Sequence, residues 1–420
     1  MLLKLDDSLI EYIQSNQLTV EEDEALHKLF RSHDNKYHFV FGSRFLFNFL
    51  SSHPSMSTYI KRQSKKKYQK YVMLEQKTRY RHSHVIVIPS TESFSRVDNE
   101  LFNENYNYSI IETIFYIPLK WFCHPAILER TCLISENSSD VNFYFQLAKG
   151  ISNIYHHNSN VIFSRNSGGG GTTFKVVKDK VEDNNMSLIV VDSDKIHPDD
   201  NHGPTCNSVK KTYERFKRYS VLGLKILYVH EKENLLPPTI YGTFGKMHKN
   251  IVEPWITIYN SELLYPLYNF ADLKEGISAK NYCSFYELLF HEPCRIVAKS
   301  TTETWGFNKE FIGSKEEFEK LVVEVKNGKA ENKYLLPPLA SDVLEDFILK
   351  DIHLETKAQL EKIKKSPSNS LAKANHIVFL EEKLQEIESF HQNLNEFHKS
   401  YLKDLSDRIN DWGFCNTDAV

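Results

Sequence analysis

Strand and helix patterns alternate between residues 128 and about 240, and this regularity constrains the fold more than any other feature of the chain. Short apolar runs at 131–135, 161–164, 188–191 and 224–229 predict strands. Helical patterns near 140–150, 173–181 and 208–222 separate them. A strand that returns parallel to its predecessor needs a crossover, and a helix supplies it. The pattern predicts an α/β domain around a parallel sheet, whose strand ends lie on one edge where ligands usually bind. Each predicted strand is followed by a distinctive signal. Glu136 follows the first, Gly168, Gly169, Gly170 and Gly171 the second, Asp192-Ser193-Asp194 the third, and Glu231 and Glu233 the fourth. Carboxylates gathered on one edge repel one another unless a cation sits between them, so a divalent-metal site is expected.

Each signal also has a plainer reading. Glu136 lies in Ser-Glu-Asn-Ser-Ser-Asp140, a composition that suits a helix start, and on local grounds capping is the simpler role. Asp192 and Asp194 share a face if the segment is extended, although Asp and Ser are also common in polar turns. The four glycines lack the Gly-Lys-Ser/Thr ending of a nucleotide P-loop. They permit close backbone approach to a phosphate or to the neighbouring carboxylate loop. Glu231 and Glu233 flank Lys232, and the sequence does not choose between them as ligand. His197, Asp199, Asp200, His202 and Cys206 follow the Asp pair, but the hard and soft donors lack zinc spacing.

The flanks are less regular. Residues 1–127 predict an α+β region, with a polar helix at 20–32, a buried aromatic element at 39–50, and strands at 85–88 and 110–117. Residues 241–335 form an aromatic-rich α+β stretch. Residues 336–420 predict a helical hairpin, with helices at 339–363 and 374–412. The second carries one continuous apolar stripe, read as internal packing in preference to a dimer seam. Residues 59–82 place Lys61, Arg62, Lys65, Lys66, Lys67 and Lys70 among Tyr59, Tyr68, Tyr71 and Tyr80. Cations interleaved with aromatics suit a phosphate backbone and unstacked bases, while a charge run is more often a solvated face.

Composition narrows the classes. The chain of 420 residues carries net charge −3, so overall charge does not mark a nucleic-acid binder. None of the six cysteines forms a Cys-x-x-Cys pair, which argues against a disulfide framework or a zinc ribbon. The early acidic residues do not suit a signal peptide, and no apolar run approaches the roughly 20 residues of a membrane span. A cytoplasmic protein with no membrane partner is expected.

The order of Glu after the first strand, glycines after the second, Asp-x-Asp after the third and Glu after the fourth resembles the Toprim domain. Topoisomerases, primases and the nucleases of the OLD and related phage-defence families share that domain. The resemblance covers residues 128–240 and implies a Rossmann-like parallel sheet. It implies Glu136 as a metal ligand or general acid/base, and Asp192 and Asp194 as metal-holding aspartates. It further implies Glu233, with Glu231 as substitute, as the downstream carboxylate of the nuclease branch. Lys195 and Lys232 are candidates for a basic residue near the scissile phosphate. Asn137 departs from the pattern, since many Toprim domains have Gly there. The resemblance implies Mg²⁺ or Mn²⁺ as cofactor and DNA or RNA as substrate. It also implies service as a bacterial anti-phage effector that depends on a partner ATPase or sensor, with homo-oligomerisation left open. A non-catalytic scaffold that binds its partner through the C-terminal helices is the alternative.

Overall fold

The computed structural model describes residues 1–79, 81–105, 108–154, 161–196, 200–245, 247–260, 265–278, 349–365 and 371–415, with short pieces between 320 and 339. The chain forms two compact units that cut across the four stretches read from sequence. One comprises Met1–Val191, Asn207–Lys225 and Tyr401–Val420; the other comprises Asp192–Cys206 and Ile226–Ser400.

The first unit is α/β. Its elements begin β1 (Leu2–Leu5), α1 (Ser8–Ser15), α2 (Val20–Asp34), β2 (Phe39–Gly42), α3 (Arg44–Ser52), α4 (Thr58–Gln69), α5 (Tyr71–Thr78), β3 (His84–Ile88), β4 (Ser95–Asn103) and β5 (Tyr108–Pro118). These strands form a mixed sheet in the order β2-β1-β3-β5-β4, in which only β4 pairs antiparallel. Helix α2 starts at a capping box, where Thr19 and Glu22 satisfy each other's backbone N–H groups. The predicted polar helix and both predicted strands are present. β1 escaped the sequence reading because four residues show too little alternation to identify a strand.

Next come β6 (Cys132–Ser135), α6 (Ser138–Ile154), β7 (Ser164–Ser167), α7 (Thr173–Glu182), β8 (Ser187–Val191), α8 (Pro204–Phe216) and β9 (Leu222–Ile226). They form a second sheet in the order β7-β6-β8-β9, with β6 parallel to both β7 and β8. Every residue of β6 and β8 is buried, as expected for central parallel strands covered on both faces. The second predicted strand is displaced. Val161 and Phe163, apolar enough to suggest a strand at 161–164, instead pack around Gly413, while the polar edge strand forms three residues later. An edge strand needs fewer apolar side chains, which hides it from a hydrophobic pattern.

The second unit continues with α9 (Pro238–Gly245), α10 (Lys249–Asn260), α11 (Tyr265–Phe270), α12 (Leu349–Lys365), α13 (Leu371–Asn393) and α14 (Glu396–Gly413). Tyr241, Trp255, Tyr268 and Phe270 are fully buried within it. Helices α12 and α13 pack against each other, and Lys364 pairs with Glu381 at 2.7 Å. The long helix predicted at 374–412 is broken between α13 and α14. Asn395 is the physical cause: its Oδ1 accepts the His398 N–H at 2.8 Å and caps a new helix. The apolar stripe runs across the break because the spacing of apolar residues is blind to a cap.

From Tyr401 onward α14 belongs to the first unit. Trp412 meets Phe115 of β5 edge-on at 5.6 Å, and a Cβ on Gly223 of β9 would lie 2.4 Å from the Trp412 ring. Among the described residues, no helix is long and apolar enough to cross a membrane.

Candidate acidic and metal-binding site

In the second unit the Asp192–Asp194 segment is tied to the chain that follows β9. The Ser193 and Asp194 N–H groups donate to the His230 carbonyl at 3.2 and 3.0 Å. Ser193, fully buried, donates its hydroxyl to the Val229 carbonyl at 2.6 Å. Asp194 is left-handed, with φ 52°. The segment therefore bends at Asp194 and does not run on as an extended strand. Asp is one of the residue types that tolerate this conformation. A Cβ on Gly203 would sit 2.0 Å from Asp194 Oδ2, so glycine is required there. Lys195 is half-buried; its N–H donates to Ser193 Oγ at 3.2 Å and its carbonyl bonds His230 Nδ1 at 2.9 Å.

The second acidic turn is held by Asn234, which the sequence reading passed over. Its Oδ1 accepts the Glu231 N–H at 3.0 Å, and its Nδ2 donates to the Tyr268 and Ala271 carbonyls. Tyr241 donates to the Glu233 carbonyl at 2.9 Å. Glu231 is 8% exposed and Glu233 only 2%. The cation between them in this structure is Lys274, at 2.5 Å from Glu231 Oε2 and 3.3 Å from Glu233 Oε2. This corrects the premise that such carboxylates need a metal ion to coexist. Burial, and then the neighbouring Glu233, pushes the Glu231 carboxyl up to about 8, with Lys274 acting in the opposite direction. Burial disfavours the Lys274 ammonium, yet Glu233 and Glu231 hold its pKa above the usual lysine range. Lys232 lies 4.0 Å from Glu233 Oε1 and is itself buried. No motif or spacing announces Lys274, which lies 41 residues beyond Glu233 in an unremarked turn.

His230, Glu231 and Asp272 bring one ligand atom each to within 4.8 Å of one another. Glu231 Oε1 is buried without a hydrogen-bond partner, so this donor set can receive a cation. Of the expected ligands, Glu231 belongs to this group; His230 and Asp272 join it unannounced.

In the first unit, Glu136 follows β6. Asp140, in the first turn of α6, accepts the Asn137 N–H at 3.0 Å through its Oδ2. The glycine loop turns around this corner. Gly168 N–H donates to the Ser135 carbonyl, and the N–H groups of Gly169 and Gly170 both donate to the Glu136 carbonyl, at 2.7 and 3.2 Å. Gly169 and Gly170 have φ near +69° and +63°, which glycine alone adopts readily. These three amides are engaged by protein carbonyls and do not form a phosphate cradle. The glycines thus approach the neighbouring carboxylate loop closely.

The basic segment folds as α4 and α5. Arg62, Lys65, Lys66 and Lys70 are exposed, and Lys61 donates to the Pro54 carbonyl at 3.2 Å. Lys67 is a correction: it is 4% exposed and donates to the Val40 carbonyl at 2.8 Å, so it cannot meet a nucleic acid in this fold. Tyr59 bonds Asp34, Tyr68 lies beneath Arg44, and Tyr71 packs on Phe41, so these rings serve the unit itself. Tyr80, His197 and Asp199 lie outside the described residues.

Comparison with family models, with curated proteins and with solved structures finds no match to this chain. The fold and the site define an α/β protein with one mixed and one parallel sheet and a His–Glu–Asp group suited to a cation.

Proposed function

We propose that this chain is a divalent-metal-dependent nuclease of the Toprim kind, hydrolysing phosphodiester bonds in DNA or RNA. One observation carries the reading: the Ser193 and Asp194 N–H groups bond the His230 carbonyl, which joins the Asp192–Asp194 turn to the Glu231–Glu233 turn within one unit. The motif order along β6, β7, β8 and β9 supports it further. Asp192, Asp194, Glu231 and Glu233 would hold Mg²⁺ or Mn²⁺, and Lys195 would face the substrate. When bound, such ions activate water and stabilise the leaving oxygen. The chain's own contribution is to fix the two acidic turns through Ser193 and Asn234. In the same reading the protein acts in the cytoplasm as an anti-phage effector, switched on by a partner ATPase or sensor.

The test is cleavage of plasmid DNA and of RNA with Mg²⁺ or Mn²⁺ present. Asp192→Asn with Asp194→Asn keeps the turn, since Asn also tolerates φ > 0. The double variant is expected to lose cleavage by on the order of 100-fold or more, beyond the loss typical of outer-shell changes. Full activity in a folded double variant would refute the assignment. The scaffold reading draws on Lys274, whose pairing with Glu231 and Glu233 lets these acids be purely structural. Calorimetric titration separates the two: no Mg²⁺ or Mn²⁺ binding at millimolar concentration favours the scaffold.

A further inference from the structure

We infer that His230, Glu231 and Asp272 form a site for a first-row transition-metal dication, selective against Mg²⁺. In each of these side chains one polar atom is held by the protein and the other is left over. His230 Nδ1 bonds the Lys195 carbonyl at 2.9 Å, which makes Nδ1 the donor and leaves the lone pair on Nε2. Glu231 Oε2 takes Lys274, while Oε1 is buried without a hydrogen-bond partner. Asp272 Oδ1 accepts the Lys274 and Glu275 N–H groups, both at 3.0 Å, which leaves Oδ2. The ligand atoms of the three residues lie within 4.8 Å of one another.

Two observations separate this group from an ordinary acidic cluster. An imidazole whose other nitrogen is anchored on a main-chain carbonyl has the outer-shell arrangement of a metal ligand. A buried carboxylate oxygen with no donor is costly, and a cation satisfies it. Asn269 adds to this. Its carbonyl takes the His230 N–H at 2.7 Å, it is 1% exposed, and neither of its side-chain amide atoms has a partner.

The donor chemistry sets the ion. Mg²⁺ demands oxygen ligands in near-octahedral array, whereas imidazole with carboxylates suits Mn²⁺, Fe²⁺ and Zn²⁺. Three protein donors leave coordination positions open, the mark of a reactive site and not of a structural one. The inference does not rest on the nuclease reading, because it concerns binding alone.

The experiment uses the full chain, stripped with chelator and titrated with Mn²⁺ under electron paramagnetic resonance. A bound Mn²⁺ with nitrogen modulation in the pulsed spectrum is expected, and a tenfold excess of Mg²⁺ should not displace it. His230→Gln should remove the nitrogen modulation, and both His230→Gln and Asp272→Asn should weaken binding about tenfold or more. Three results overturn the inference: no Mn²⁺ bound below millimolar, a bound ion without nitrogen modulation, or modulation unchanged in His230→Gln. If a variant fails to fold, the wild-type spectrum and the Mg²⁺ competition still decide. Cleavage is not measured, so loss of the nuclease reading would leave this result standing.

Discussion

Gly203 is the residue on which the conformation of the Asp192–Asp194 turn depends most directly. Its N–H donates to the Ser193 carbonyl at 3.0 Å, and the space a side chain would need is filled by Asp194. Gly203→Ala must therefore push Asp194 aside. A displacement of about 1 Å can cost on the order of 100-fold in rate. On the nuclease proposal metal-dependent cleavage should fall by that order, while overpacking costs about 1–3 kcal/mol in urea unfolding. Cleavage at the wild-type rate would show that Asp194 does not act. His398 plays the matching part for the other turn, with Nε2 bonding the Asn234 carbonyl at 2.7 Å. Complete burial pushes its pKa down to about 4, although the Asn234 bond works the other way. Because the folded pKa lies below the unfolded value of about 6.5, the unfolded chain takes up the proton first. This histidine's contribution to stability is complete above about pH 6.5 and is lost as pH drops toward about 4, by on the order of 3 kcal/mol. Urea midpoints from pH 7 to pH 4 should lose part of their slope in His398→Gln, the rest coming from His33 and His38, which burial shifts in the same direction.

At the scale of elements, α4 presents Arg62, Lys65 and Lys66 at helical spacing on an exposed face, while Lys67 turns inward. If this face tracks a nucleic-acid backbone, replacing all three by Ala lowers the salt slope of duplex binding by about 3. Lys67→Ala should leave that slope alone and cost stability, because the buried Val40 carbonyl loses its donor. A slope unchanged in the triple variant would make α4 an ordinary solvated face. The same helix shows what the sequence reveals. Charge identity is legible, but which lysine faces inward depends on the sheet beside it. β6 and β8 were legible because central parallel strands are apolar throughout, whereas β7, Ser-Arg-Asn-Ser, carries no apolar residue to betray it. The acidic turns were legible through chain order, since each follows a strand. His230, Asn234, Asp272 and Lys274 were not, because their roles come from tertiary hydrogen bonds and ion pairs that leave no periodic trace.

For the whole molecule, the chain passes from one unit to the other after Val191, Cys206, Lys225 and Ser400. Neither unit is a continuous piece of sequence, so the four-part division by composition could not find them. The last passage brings residues from 401 onward into the first unit's core, where contacts reach both of its sheets. Trp412 meets Phe115 of the mixed sheet and Gly223 of the parallel sheet. Asp411, fully buried, accepts the His82 and Ser83 N–H groups at 3.1 and 2.8 Å. A side chain shared by two sheets has no single neighbour that can collapse into its place, so the cavity term is large. Trp412→Ala should destabilise the protein by about 3–5 kcal/mol, read as a lowered denaturant midpoint. Gly223→Ala attacks the same contact from the other side, through a Cβ 2.4 Å from the indole. Its cost should shrink when Trp412 is already Ala, because the clash has gone. A double-mutant cycle measures that coupling, and two strictly additive losses would show that the C-terminal residues do not join the two sheets.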